Sequence, residues 1–500
     1  MKSNMLRKIK LNALAGYMHF CISSILVFFI SPLLVKFLGS SIFGVWKNIQ
    51  AILSFATIAD GRSSQALKWI IANDESFDDI QYKQQSVGSA LRVWMYFLPF
   101  VTLIVISLVY SLPFLINGLE QSYHSIIYQA GFILGANLLI SPLLKIPDAI
   151  LVGTNKGYKS TFIQLFFVIV SNILMLWVSY LGYGLIGLSF VVLIVTLMNA
   201  SFIFLICKRN VNWLGIQKPN KSQVREFFKF SFWVFIWSFV MKLILSTEII
   251  LIGYLISSEV VANYVFSTYV VQLAISFALL TGSAITPSLG NLIGAKEVEK
   301  SKNVVDTLRD IVSFIALFFA SLIILINEDF IGLWMGESYY LGDNSNILVV
   351  SIMIFLVLTR VEGQVQDLSL NIKNKVISGF IISILSMVLG FVGYLYLNNR
   401  LEGLLLGVLI GRVIMNFVFV NMVNKMLGLK LNCMRYFYLI IFLIILHQVE
   451  RFLPVASTWS VLIFKSVSVS AAILPLCFFL LLSKTTKHGI YSQFYTRFRL

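Results

Sequence analysis

Chemistry in this sequence would fall to ionisable residues set inside long apolar runs. Lys242 and Arg412 each stand near the middle of such a run, Glu248 lies six residues beyond Lys242, and Arg360, Glu362 and Asp367 cluster toward the end of another. Asp60 and Arg62 close a fourth run. A charge at the centre of a bilayer costs about 2.5–3.5 kcal/mol on insertion scales, so such groups face a partner or a water-filled cavity. Cations outnumber anions at the span centres, and Arg and Lys engage phosphate oxygens through charge-assisted hydrogen bonds. Lys242, Arg412, Arg360 and Arg62 are therefore candidate contacts for an anionic, phosphate-bearing ligand. Glu248 and Asp60 are candidate proton-coupling carboxylates, because an intramembrane acid can exchange its charge for a bound proton. Arg360 and Asp367, seven apart, share a helix face and form a candidate pair, whereas Lys465 is near enough to a span end to snorkel.

Other chemistries lack their residues. The stretch Gly153-Thr154-Asn155-Lys156-Gly157-Tyr158-Lys159-Ser160 misses the phosphate-loop spacing and reads as a basic turn. No HExxH or GxSxG occurs, the four histidines are scattered, and Cys21, Cys207, Cys433 and Cys477 show no ligand or disulfide spacing. A non-enzymatic protein without cofactor or metal is expected. Any uphill work then draws on an ion gradient, a substrate gradient or a partner.

These residues must be positioned by membrane helices. Of 500 residues 58% are hydrophobic and 12% charged, half the charged share of soluble domains. With about 20 apolar residues needed per span, fourteen candidate spans run from 13–36 to 459–482. The second (42–62), seventh (230–254), tenth (346–368) and twelfth (401–422) hold the residues above, and the thirteenth (435–453) is short. The net charge of +16 calls for no nucleic acid, because the excess lies between spans. Lys2, Arg7, Lys8, Lys10, Lys156, Lys159, the 208–229 segment, Lys373, Lys375, Lys430, Arg435 and the tail all fall on one side. By the positive-inside rule that side is cytoplasmic and holds both termini.

Two segment pairs repeat at one offset. Phe37-Leu38-Gly39-Ser40-Ser41 matches Leu255-Ile256-Ser257-Ser258, and Gly184-Leu185-Ile186 matches Gly403-Leu404-Leu405, about 218 residues apart. The expected fold is an all-α polytopic membrane protein with two six-helix lobes in parallel repeat, 1–207 and 230–422. A basic linker, 208–229, joins them, and 423–500 adds helices thirteen and fourteen with a basic tail. Gly403, Gly407 and Gly411 form a GxxxGxxxG stripe that predicts close packing of span twelve on a neighbour.

At Phe37-Leu38-Gly39, Gly44-Val45-Trp46 and Asp60-Gly61 the chain resembles the polysaccharide-biosynthesis, or O-antigen flippase, family of the multidrug/oligosaccharidyl-lipid/polysaccharide exporter superfamily. The stretch Thr247-Glu248-Ile249-Ile250-Leu251-Ile252-Gly253-Tyr254, with Tyr264 and Pro287, is similar to that family's seventh and eighth spans, although Glu248 replaces the usual Asp. The resemblance implies alternating access by two lobes and transfer of undecaprenyl-pyrophosphate-linked oligosaccharide from the inner to the outer leaflet of a bacterial inner membrane. Membrane lipids and polysaccharide polymerase machinery are the implied partners, and lipopolysaccharide biosynthesis the implied setting. Competing readings are a multidrug/cation antiporter or a peptidoglycan-precursor flippase of the same fold. An integral membrane polymerase is the weaker rival, since the longest expected external loop, near 328–345, is too short for an acceptor domain.

Overall fold

A computed structural model describes residues 2–56, 63–73, 79–117, 123–295, 297–368, 372–430, 433–483 and 486–487. The described residues form seventeen α-helices and a single 3-10 turn, with no strand among them. Helices follow from the apolar runs, because a backbone in lipid must satisfy its own N–H and C=O groups.

Eleven of the described helices are long and apolar enough to cross a membrane, or twelve when one bent pair counts as a single span. That count is of the described residues alone, against the fourteen candidate spans read along the whole sequence. The predicted second span becomes α2 (Ser40–Leu53), only 14 residues long, with residues 57–62 outside those described. The predicted eighth breaks into α10 (Ser258–Ser267) and α11 (Tyr269–Gly294), bent by 50°. Thr268 sits at that break, its hydroxyl donating to the Tyr264 carbonyl at 2.7 Å, and such back-bonding bends helices. The thirteenth is α16 (Cys433–Glu450), a helix of 18 residues.

The chain divides into two compact units, Met1–Ala262 and Asn263–Leu500. In the first, α1 (Lys2–Leu38), α4 (Ile80–Leu115), α5 (His124–Leu144), α7 (Gly157–Tyr180) and α8 (Gly184–Asn210) form the long helices, with α3 (Ser63–Asn73) and α6 (Ile146–Gly153) as short ones. α9 (Lys221–Leu255) packs on α4 and α2 within this same unit. The linker ahead of α9 is tied to α4. Gln84 Nε2 donates to the Trp213 carbonyl at 2.9 Å, Gln217 N to the Gln84 carbonyl at 3.2 Å, and Gln223 Nε2 to Gln85 Oε1 at 3.0 Å. A shared apolar core with Leu67, Val93, Ile150, Cys207, Val211 and Phe227 lies beneath it.

In the second unit, α12 (Val298–Trp334) is the organising element, touched by α11, α13 (Asp343–Asp367), α16 and α17 (Trp459–Leu481). At 37 residues it is about 55 Å long, well beyond the roughly 30 Å hydrocarbon thickness, so it carries polar residues at both ends. Two of those residues hold the C-terminal helices. Asp310 accepts from Arg435 Nη2 of α16 at 2.6 Å, and Asp329 accepts from Lys465 Nζ of α17 at 2.5 Å and from Ala456 N at 3.0 Å. Lys465 is thus ion-paired rather than snorkelling. The glycine stripe does what its spacing predicts: α15 (Arg400–Leu427) packs tightly on α14 (Ile372–Tyr396), and a Cβ added at Gly407 would lie 2.0 Å from the Leu389 carbonyl oxygen.

Candidate functional site

In the first unit the site residues lie on α2 and α9. α2 begins after Gly39, whose φ of 82° is a left-handed value that other residues rarely adopt. Gly44 then allows close approach, because a Cβ there would sit 1.7 Å from the Ser258 carbonyl oxygen. Next to that contact Ser41 and Ser258 share a hydroxyl hydrogen bond at 3.3 Å. Val45 and Trp46 are buried, so the triplet that carries the family resemblance is core rather than surface.

Lys47 follows directly. Its Nζ lies 5.2 Å from the Phe43 ring centroid, a cation–π distance, and no ion pair forms to it among the described residues. Asn48, fully buried, has neither amide oxygen nor amide nitrogen hydrogen-bonded among the described residues, and its side chain lies against Gly253 of α9. α9 adds half-buried Lys242 and a buried run of Ser246, Thr247 and Glu248, with the Thr247 hydroxyl donating back to the Leu243 carbonyl. Lys242 and Glu248 are six residues apart, about 240° around a helix, so they occupy different faces. Lys47 and Asn48 are absent from the residues singled out by sequence, although a lysine between Trp46 and Ile49 is the same signal that marks Lys242. Asp60 and Arg62 lie outside the described residues.

In the second unit Arg412 is buried on α15, at 2% exposure, immediately after Gly411. Asn416, one turn further and fully buried, leaves its amide without a hydrogen-bond partner among the described residues. Positions i and i+4 share a helix face, so a cation and an amide with open hydrogen-bonding capacity stand together there. Arg360 is half-buried on α13. Its neighbour Glu362 is committed elsewhere: Arg309 Nε and Nη2 of α12 donate to its two oxygens at 2.7 and 2.8 Å, and Arg309 Nη1 donates to Asn424 Oδ1 at 2.9 Å. Asp367 takes a hydrogen-bonded partner other than the expected Arg360. Buried Lys375 of α14 donates to it and to the Gly363 carbonyl. Lys375 reads as a surface cation in the sequence, but its 1% exposure makes it a structural strut. No group of three or more metal-ligating side chains is assembled among the described residues.

Membrane-spanning helices that carry cations and unfilled polar capacity in two units define an all-α, multi-pass membrane protein. The sequence profile of a family described as polysaccharide biosynthesis proteins matches residues 33–341, more than half of the chain. The chain belongs to that family, and its fold is that of flippases and transporters. Among solved structures it is similar to the lipid II flippase MurJ in an inward closed conformation, at 15% identity and TM-score 0.64, over 94% of this chain and 98% of that one. It is also similar to an inward-facing multidrug resistance MATE family transporter of the MOP superfamily, at 15% identity and TM-score 0.60, covering 85% and 98%. A MOP superfamily transporter from Pyrococcus furiosus, described as having a binding pocket of reversed polarity, matches at 16% identity and TM-score 0.55 over 84% of this chain and 94% of that one. At such identities the likeness establishes fold. No curated protein sequence matches the chain.

Proposed function

We propose that the chain moves undecaprenyl-pyrophosphate-linked oligosaccharide, the repeat unit of an O-antigen or similar surface polysaccharide, from the inner to the outer leaflet of a bacterial inner membrane. Both termini are cytoplasmic in this reading, polysaccharide polymerase machinery receives the product, and no covalent step is involved. The observation that carries the proposal is Lys47, an ammonium on α2 that meets an aromatic face and no carboxylate among the described residues. A cation so placed is available to a phosphate. Lys242, Arg412 and Arg360 are assigned to the same role, as is Arg62 at the end of the second apolar run. A cationic drug would be repelled by this set, which favours the lipid-linked anion over a multidrug substrate.

Glu248 and Asp60 are assigned to coupling. A proton that binds Glu248 in one state and not the other shifts the balance between inward-open and outward-open forms by the difference in binding free energy. Reconstitution into liposomes, with leaflet-resolved detection of the lipid-linked oligosaccharide and dye efflux followed in the same vesicles, tests the reading. Transfer of the oligosaccharide without dye efflux is expected. Lys47→Ala, Lys242→Ala and Arg412→Ala should each abolish transfer at matched levels of folded protein. Dye efflux with no oligosaccharide transfer would move the chain to the multidrug class.

A further inference from the structure

Apart from the residues assigned to transport, the second unit contains a cavity of about 540 Å³ where the polar end of α12 meets the ends of α15 and α16 and the segment after α17. Its cations are Arg309, Lys430 and Arg435, and its acids are Asp306 and Asp310. The groups are not equally available. Asp310 is fully engaged: Oδ1 accepts from Arg435, and Oδ2 accepts from Ser483 N at 3.1 Å and the Thr486 hydroxyl at 2.8 Å. Arg309 is held from behind by Glu362 and Asn424. Arg435 donates to Asp310 through Nη2 alone, so most of its five N–H donors have no acceptor among the described residues. Lys430 is exposed and has no ion pair or hydrogen bond among them. Asp306, the remaining acid, is 54% exposed and 3.9 Å from Arg309 Nη1.

The wall also includes Thr307, Tyr436 and Ser483, the last with its hydroxyl bonded to that of Thr486 at 2.9 Å. Beside it the surface turns apolar. The Tyr436 ring lies 4.9 Å from that of Phe417, and Met434 and Phe437 are more than half exposed. A free ammonium and a largely unused guanidinium around a space of this size match the oxygens of a phosphate ester, which accept charge-assisted hydrogen bonds from Lys and Arg.

We propose that this cavity binds a phosphate group, with Lys430 and the free edge of Arg435 as its cationic contacts. The same chemistry fits the headgroup of an anionic phospholipid, whose chains would lie on the neighbouring apolar surface, and a soluble phosphate ester. Occupancy ties α12, α15, α16 and the chain after α17 together, so it stabilises the folded protein by mass action. The site is separate from the residues assigned to transport and stands or falls independently of them.

The test uses the full chain in uncharged detergent, titrated with phosphatidylglycerol in mixed micelles, with phosphatidylcholine as the neutral control, and separately with inorganic phosphate. The unfolding temperature, followed by tryptophan fluorescence, reports binding. Phosphatidylglycerol or phosphate is expected to raise it for the wild type. Lys430→Gln should shift the half-saturating concentration upward about tenfold, the loss of one charge-assisted contact. Lys425→Gln, which removes an exposed charge in the last turn of α15 that is not part of the cavity wall, should leave it unchanged. A rise with phosphatidylglycerol alone assigns the site to a lipid, and a rise with inorganic phosphate as well assigns it to a soluble ester. Equal half-saturation in the wild type and Lys430→Gln, an equal loss in Lys425→Gln, or no rise with either ligand would overturn the proposal.

Discussion

Cutting the Arg309–Glu362 pair from one side and then from both gives a direct measure of what holds the second unit together. The pair is bidentate, at 2.7 and 2.8 Å, and the side chains are only 8% and 5% exposed. Each hydrogen bond to a charged group contributes about 1.5–3 kcal/mol, so Glu362→Leu removes about 3–6 kcal/mol, in the range found when one partner of a buried ion pair is deleted. Much of that is the cost of the guanidinium left behind. The double variant Arg309→Met/Glu362→Leu removes both charges and should recover most of the loss. It leaves a deficit of about 1–3 kcal/mol from Asn424, whose Oδ1 loses its donor. The expected interaction free energy in the double-mutant cycle is therefore about 3 kcal/mol or more. Unfolding by sodium dodecyl sulfate in mixed micelles, followed by tryptophan fluorescence, measures all four proteins. A double variant as unstable as the sum of the two single variants would refute the reasoning, because the pair would then have no mutual dependence.

The remaining expectations use the same preparations. Gly407→Ala should destabilise by about 1–3 kcal/mol, since its Cβ must push α14 away from a carbonyl oxygen 2.0 Å distant, while Leu406→Ala at a 39% exposed site should change stability far less. Equal unfolding midpoints for the two would contradict that packing. Under the proposed function, Glu248→Gln should transport without responding to an imposed proton gradient in liposomes. A parent-like response would remove Glu248 from coupling. Ser222→Cys, exposed in the first turn of α9, should resist a membrane-impermeant thiol reagent in intact cells and react in inverted vesicles. Labelling in intact cells would reverse the topology.

The sequence by itself determined the helical, membrane-spanning class, the approximate position of most spans and the close packing of span twelve on a neighbour, which the fold shows to be α14. Each is a local property: a run of apolar side chains leaves the backbone no hydrogen-bond partner but itself, and glycines every four residues leave one helix face without side chains. The sequence also showed which charges are costly to bury, and Lys242, Glu248, Arg360 and Arg412 are indeed buried or half-buried. Tertiary structure alone decided which groups answer those charges. Arg309 meets Glu362 across 53 positions, Arg435 meets Asp310 across 125, and Lys465 meets Asp329 across 136, at separations where no periodicity constrains the pairing. Lys375 and Arg435 therefore read as inner-surface cations in the sequence and become internal ties in the fold. Lys47 went unnoticed because its run is broken by polar residues, and only the structure shows it half-buried over the Phe43 ring. An ionisable residue carries its desolvation cost in its own chemistry, but its partner, and so its role, depends on which helices the fold places beside it.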